Sequence, residues 1–268
     1  MANINIKSTE THDKPFLGRN IFFVHPNDAI HSGLVMPVLH AEYQVYEIDS
    51  EDDVLSAVKK FPDAVLLFCL SNTKPEFSFA NHAKLINKVY QISGRNTLRV
   101  GIICDTDSTS LRRAALYNAG INCVLAPLSK GYDVTAKNII KCLTLIGAKG
   151  IRKYVRAICD EEDNAVVTFT IDGRTLNGKI MDVSSVGFVT VFAEDPELSP
   201  DTHISDTVMN IRGIDVAIPS RVFGVRQNEN NAVTQKEYIM LFDENVESDK
   251  TQIYDYIYYS LRRDFNSK

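Results

Sequence analysis

The chain has 268 residues, 44% hydrophobic and 24% charged, which excludes a disordered or fibrous polymer. No apolar run approaches the ~18 residues of a membrane-spanning helix, and the polar segment from Met1 to Lys14 lacks an apolar signal core, so no membrane contact is expected. The net charge of −5 is uneven: residues 1–150 carry 16 basic and 14 acidic side chains, residues 151–268 carry 13 and 20, and such an acidic second half argues against a nucleic-acid backbone as partner.

Residues 20–147 alternate short apolar runs with amphipathic stretches. The runs are Ile21–Val24, Val45–Ile48, Ala64–Leu70, Val100–Cys104 and Cys123–Leu125. Several are continuous and rich in β-formers, as strands buried on both faces of a parallel sheet must be. One helix is predicted to begin after Ser50, with Asp53 completing a capping box and Val54, Leu55 and Val58 at helical spacing. A second is predicted from Ser108 to Asn118, ending at Gly120. A third starts at Asp133 and carries Ile139, Ile140, Leu143 and Ile146. Strand–helix repetition of this kind implies a doubly wound α/β sandwich.

Beyond Gly150 the period changes. Val166, Thr168 and Thr170 alternate with Val167, Phe169 and Ile171, and Asp172-Gly173 supplies a tight hairpin turn. Short strand-like runs follow at Leu176–Met181, Gly187–Phe192, Val208–Ile211, Val216–Ile218 and Tyr238–Phe242, the pattern of a small antiparallel barrel. A final helix from Thr251 to Arg263 places Ile253, Ile257 and Leu261 on one face. The expected organisation is a tail (1–19), an α/β domain (20–147), a hinge and lead-in segment (148–156) and a barrel with its helix (157–268).

The chemistry-bearing residues are few. Five cysteines, with no CxxC pair, read as reduced thiols in a cytoplasmic protein, and His25, His31, His40 and His203 lack metal-ligand spacing. No Walker loop, dinucleotide fingerprint or nucleophile elbow occurs, so neither a catalytic set nor a metal site is expected. Arg152, Lys153 and Arg156 form a focused basic cluster, an RxxxR, in the acidic half. Further on, Asp182-Val183-Ser184-Ser185-Val186-Gly187 forms a DxSxxG at a strand end. Arg offers a planar fork that pairs bidentately with anionic oxygens. Asp182 is acceptor-only when ionised, Ser184 adds a short hydroxyl, and Gly187 permits close backbone approach or a positive φ. Arg212, Arg221 and Arg226 lie on or near predicted strands, from which one could reach a ligand, although solvent exposure is the ordinary fate of an arginine.

Two resemblances follow from these residues. Residues 20–147, through "IFFVHPND", "FPDAVLLFCL", "RVGIICDTD" and "ALYNAGINCVLAPLS", resemble a response-regulator receiver domain. That likeness puts its acid-pair positions on His25 and Pro26, the phosphoacceptor on Phe68, the hydroxyl on Cys104 and the lysine on Ala126, with Pro127 retained. None of these can hold Mg²⁺ or an aspartyl phosphate; Asp28, Asp63 and Asp105 are all offset. The implied domain is a degenerate receiver serving as a scaffold for partners or for intramolecular docking. RxxxR followed by DxSxxG resembles the PilZ domain, a bacterial receptor for the second messenger cyclic di-GMP, over residues 151–265. The resemblance implies Arg152, Arg156, Asp182, Ser184 and Gly187 as ligand contacts, with Lys153 auxiliary. Ile151 stands where an Arg accompanies an intercalated ligand dimer in that family, so one ligand per chain is expected. The expectation is a non-enzymatic cyclic di-GMP receptor without another cofactor, coupling ligand to domain rearrangement and to an unidentified protein partner. The alternative is a ligand-independent adaptor.

Overall fold

Continuous apolar segments can be buried only where both faces of a sheet are covered, and the computed structural model shows how this chain covers them. It describes residues 18–70, 78–93, 98–104, 117, 124–228, 235–243 and 250–266; the helix expected over 108–118 lies, apart from Tyr117, outside the described residues. Strands β1 (Ile21–Val24), β2 (Val45–Ile48), β3 (Val65–Leu70), β4 (Arg99–Cys104) and β5 (Val124–Pro127) pair in parallel in the order β2-β1-β3-β4-β5. This is a doubly wound order with its switch point between β1 and β3.

The helices form two groups. α1 (Asp28–Ile30), a π-helical turn (His31–Val35) and α2 (Met36–His40) follow β1. α3 (Glu51–Lys60) packs on α4 (Phe79–Ser93), and the π turn and α2 pack on α5 (Tyr132–Leu145). Ser50 accepts the Asp53 N–H at 3.1 Å and donates to the Asp53 carboxylate at 2.6 Å, so the acid binds the capping hydroxyl as well. α5 ends in a Schellman motif: Ala148 N–H reaches Leu143 O at 2.9 Å and Gly147 N–H reaches Thr144 O at 3.0 Å, with Gly147 at φ +62°. Ala148 is buried, and its carbonyl accepts the Arg19 N–H at 2.7 Å. The small residues after α5 are therefore packed in place, and Arg19, at the end of the expected tail, is tied to Asp63 as well.

The second sheet is antiparallel. It contains β6 (Arg156–Ile158), β7 (Val166–Ile171), β8 (Arg174–Ser184), β9 (Gly187–Phe192), β10 (His203–Ile204), β11 (Val208–Ile211), β12 (Ile214–Ala217), β13 (Ser220–Asn228) and β14 (Gln235–Phe242). Asp172 and Gly173 turn β7 into β8 with φ of +49° and +74°, the two-residue hairpin expected. The pairing path runs β10-β13-β14-β9-β8-β7-β11-β12, with β6 added to β8. Its two ends are not hydrogen-bonded to each other among the described residues, so the expected barrel is a curled sheet with β10 brought back against β7. The two-residue β10 is too short to close the ring.

The last helix, α6 (Lys250–Asn266), extends beyond the expected stretch and buries Ile253, Tyr256, Ile257 and Leu261. It packs on β2 of the first sheet and on β6 and β8 of the second. On one side Phe265 sits 5.5 Å from Phe22 and 5.7 Å from Tyr46, ring centre to ring centre. On the other, Arg263 donates to the fully buried Asp163 at 2.7 Å, joined by Tyr256 OH at 2.9 Å and the Asp160 N–H at 3.0 Å.

Burial alone would raise the Asp163 carboxyl, but Arg263, the Asp160 amide and Tyr256 hold it below its ordinary value. Its contribution to stability is therefore complete above the unfolded pKa of about 4 and is lost as pH falls through the lower folded value. Asp163→Asn should cost ~3 kcal/mol at neutral pH. The gap to the parent should shrink in denaturant titrations repeated below about pH 4.

Candidate ligand site

The two sequence motifs meet because β6 lies antiparallel on the end of β8, with Arg156 opposite Ser184 and Ile158 opposite Asp182. Within β8 the register against β9 shifts between Ile180 and Asp182, leaving Met181 as the extra residue of a bulge. Alternation up to Ile180 would send Asp182 into the core. The bulge puts Val183 there instead, fully buried, and turns Asp182 to the face that carries Arg156. The Arg156 Nη1 stands 3.6 Å from Asp182 Oδ1.

Asp182 is mostly covered, and burial pushes its carboxyl up. Arg156, Arg226 and Arg152 pull it back, Glu237 pushes it further, and the net displacement is upward. Arg226 on β13 donates through Nε to Glu237 on β14 at 2.6 Å. Of Arg212, Arg221 and Arg226, Arg226 is thus the one beside the motif. Arg212 is committed to Asp163 at 3.5 Å and stacks 4.1 Å over Tyr259, and Arg221 pairs with Asp201 at 3.2 Å.

Ser184 is buried, and its hydroxyl donates to the Gly187 carbonyl at 3.1 Å, closing the β8–β9 turn. Gly187 is required by proximity, since a Cβ there would lie 2.0 Å from the Met240 carbonyl oxygen on β14. Positive φ plays no part. Arg152, Lys153 and Ile151 are exposed on the lead-in segment, with Lys153 Nζ 5.1 Å from the centre of the Tyr154 ring. Three guanidinium groups and one mostly covered carboxylate can bind phosphate oxygens and guanine edges together.

Glu42 and Glu237 were not legible as site residues. Glu42 follows α2 yet touches the lead-in segment: its Oε2 accepts the Val155 N–H at 2.8 Å. Nothing in the local pattern around Ala41-Glu42-Tyr43 signals a partner 113 residues away.

No family model matches the chain, and no curated protein matches it in sequence. Solved structures do. The PilZ domain of YcgR from Escherichia coli with c-di-GMP is 17% identical at a TM-score of 0.38, over 44% of this chain and 95% of that one. The K. pneumonia MrkH–c-di-GMP complex is 16% identical at 0.41, over 44% and 55%. PlzA from Borreliella burgdorferi with c-di-GMP is 18% identical at 0.29, over 47% and 48%. The chain spans nearly all of the isolated domain and about half the length of the other two.

Among the described residues, buried side chains meet at the carboxyl end of the parallel sheet, where doubly wound folds place ligands. Phe68 is fully buried and meets the His82 ring edge-on at 5.7 Å, and His25 Nδ1 lies 3.2 Å from His82 Nε2. Cys104 is buried, Asp63 is paired with Arg19, and Asp105 lies outside the described residues. Among the described residues no group of three or more His, Cys, Asp or Glu side chains could hold a metal ion, and no helix is long and apolar enough to cross a membrane. Incubation with acetyl phosphate and Mg²⁺ should leave the intact mass unchanged. A stoichiometric adduct on an aspartate of residues 20–147 would refute the degenerate-receiver reading.

Proposed function

We propose that this protein is a PilZ-type receptor for cyclic di-GMP, with Arg152 and Arg156 gripping phosphate and guanine edges and Asp182 accepting guanine N–H donors. The observation that carries the reading is the meeting of RxxxR and DxSxxG: β6 pairs with the end of β8 so that Arg156 and Asp182 share one face. Arg226 joins them from β13 as a third guanidinium. Ser184 and Gly187 act by shaping the turn that presents Asp182. The role is recognition without catalysis, and the degenerate receiver-like half relays the bound state to a protein partner.

The ion pair that a ligand must open is weak. Arg156 is half exposed and the pair is loose at 3.6 Å, so its loss costs ~0–1 kcal/mol. A phosphate or guanine edge can take over the guanidinium at little expense.

Calorimetric titration with cyclic di-GMP, and other nucleotides as controls, should show saturable binding at one ligand per chain. Arg156→Ala and Asp182→Ala should each weaken it by ~1.5–3 kcal/mol, roughly ten- to more than a hundredfold, with unfolding temperatures close to the parent's. Unchanged affinity in both variants, or no binding by the parent, would leave the adaptor reading in its place.

A further inference from the structure

Glu42 sits at the junction of all the parts that a ligand would disturb. One carboxylate oxygen, Oε2, accepts the Val155 N–H at 2.8 Å, between the two motif arginines. The other, Oε1, accepts from the Ser185 hydroxyl at 2.5 Å, inside the DxSxxG turn, and from Tyr254 OH of α6 at 2.9 Å. The residue holds a φ of +67°, uncommon for a non-glycine, just past the end of α2. His40, two residues earlier, stacks on the same Tyr254 ring at 4.1 Å.

These donors belong to the half that carries the motifs, and the acceptor belongs to the other half. An anion of the protein's own thus occupies the neighbourhood into which the arginines would draw an anionic ligand. Glu42, Arg152 and Arg156 line a cleft of only about 40 Å³, whereas small-molecule sites run to roughly 300–1,000 Å³. A ligand with two phosphates and two guanines needs that cleft opened, and its charge repels Glu42 in partly dry surroundings.

We propose that Glu42 is an intramolecular latch: its carboxylate holds the lead-in segment and the DxSxxG turn docked on the first half, and cyclic di-GMP binds when the latch releases. The inference rests on the receptor reading above. Release frees the Val155 amide and the Ser185 hydroxyl together, so ligand occupancy and separation of the halves become one equilibrium. The latched fraction lowers apparent affinity in proportion to its population.

The sign of a mutation separates a latch from a scaffold. Glu42→Ala should bind cyclic di-GMP about 5- to 30-fold more tightly than the parent, Glu42→Gln by less, and Tyr254→Phe about 2- to 5-fold more tightly. Hydrogen exchange of the Val155 amide should be slow in the ligand-free parent and fast in ligand-free Glu42→Ala. If Glu42→Ala does not fold, Tyr254→Phe carries the test. Variants that bind no more tightly than a parent that does bind overturn the latch and leave the receptor standing. A parent that binds no cyclic di-GMP overturns the receptor reading itself.

Discussion

Helix α6 is a wall common to two cores, and the rest of the arrangement depends on its burial. Ile253, Ile257 and Leu261 are within a few per cent of full burial. Each buried side chain of that kind contributes roughly 1.5–3 kcal/mol relative to exposure. The helix lies on β2 on one side and on β6 and β8 on the other, so neither sheet completes its surface without it. The buried Asp163–Arg263 pair fixes its end to the second half, while Tyr258, hydrogen-bonded to Glu47, fixes its middle to the first. The crease between the sheets is held by this helix, and the RxxxR segment crosses that crease.

That constraint changes what a hinge means here. Gly147–Gly150 has the composition of a flexible joint, and both glycines take positive φ. Yet Gly147 terminates α5 by satisfying its last carbonyls, and Ala148 is buried against the start of the first domain. A rearrangement of the halves has to be worked through exchangeable polar contacts on either side of α6. The Glu42 bonds are of that exchangeable kind; the aromatic packing of Phe265 on Phe22 and Tyr46 is not.

Much of this was legible in the sequence, for reasons that differ by element. Strands β1 and β3 announced themselves because burial on both faces leaves no polar position to interrupt the run. The β7–β8 hairpin was legible because Asp-Gly is one of the few pairs that accept φ > 0 twice. The segment from Asp28 to His40 was not, since Gly33 and Pro37 are poor helix formers and its middle winds as a π turn that breaks the 3.6-residue period. α4 carries readable spacing in Leu85, Ile86, Val89 and Tyr90, all buried. Strand β13 mixes Arg221, Gly224, Arg226 and Gln227 among its apolar residues, and so hid both itself and the arginine it delivers to Asp182. Arg156 and Asp182 were legible because they belong to a local motif. Arg226 and Glu42 reach the site only through tertiary register, which no local period encodes.

The two carboxylates near the motif illustrate how position assigns opposite roles to the same group. Asp182 stands on the strand that presents it, raised by burial and drawn back by Arg156, Arg226 and Arg152. Glu42 stands on the other half, and its partners are an amide, a hydroxyl and a phenol that a ligand can strip away. On the proposed reading, one contacts the ligand while the other competes with it. Linkage makes such competition reciprocal: a partner that grips α2 and draws Glu42 off Val155 must raise ligand affinity by the factor by which the ligand raises the partner's. On the proposed reading the first half needs no phosphoacceptor to pass a signal in this way, because it needs only to move one side chain at the end of α2.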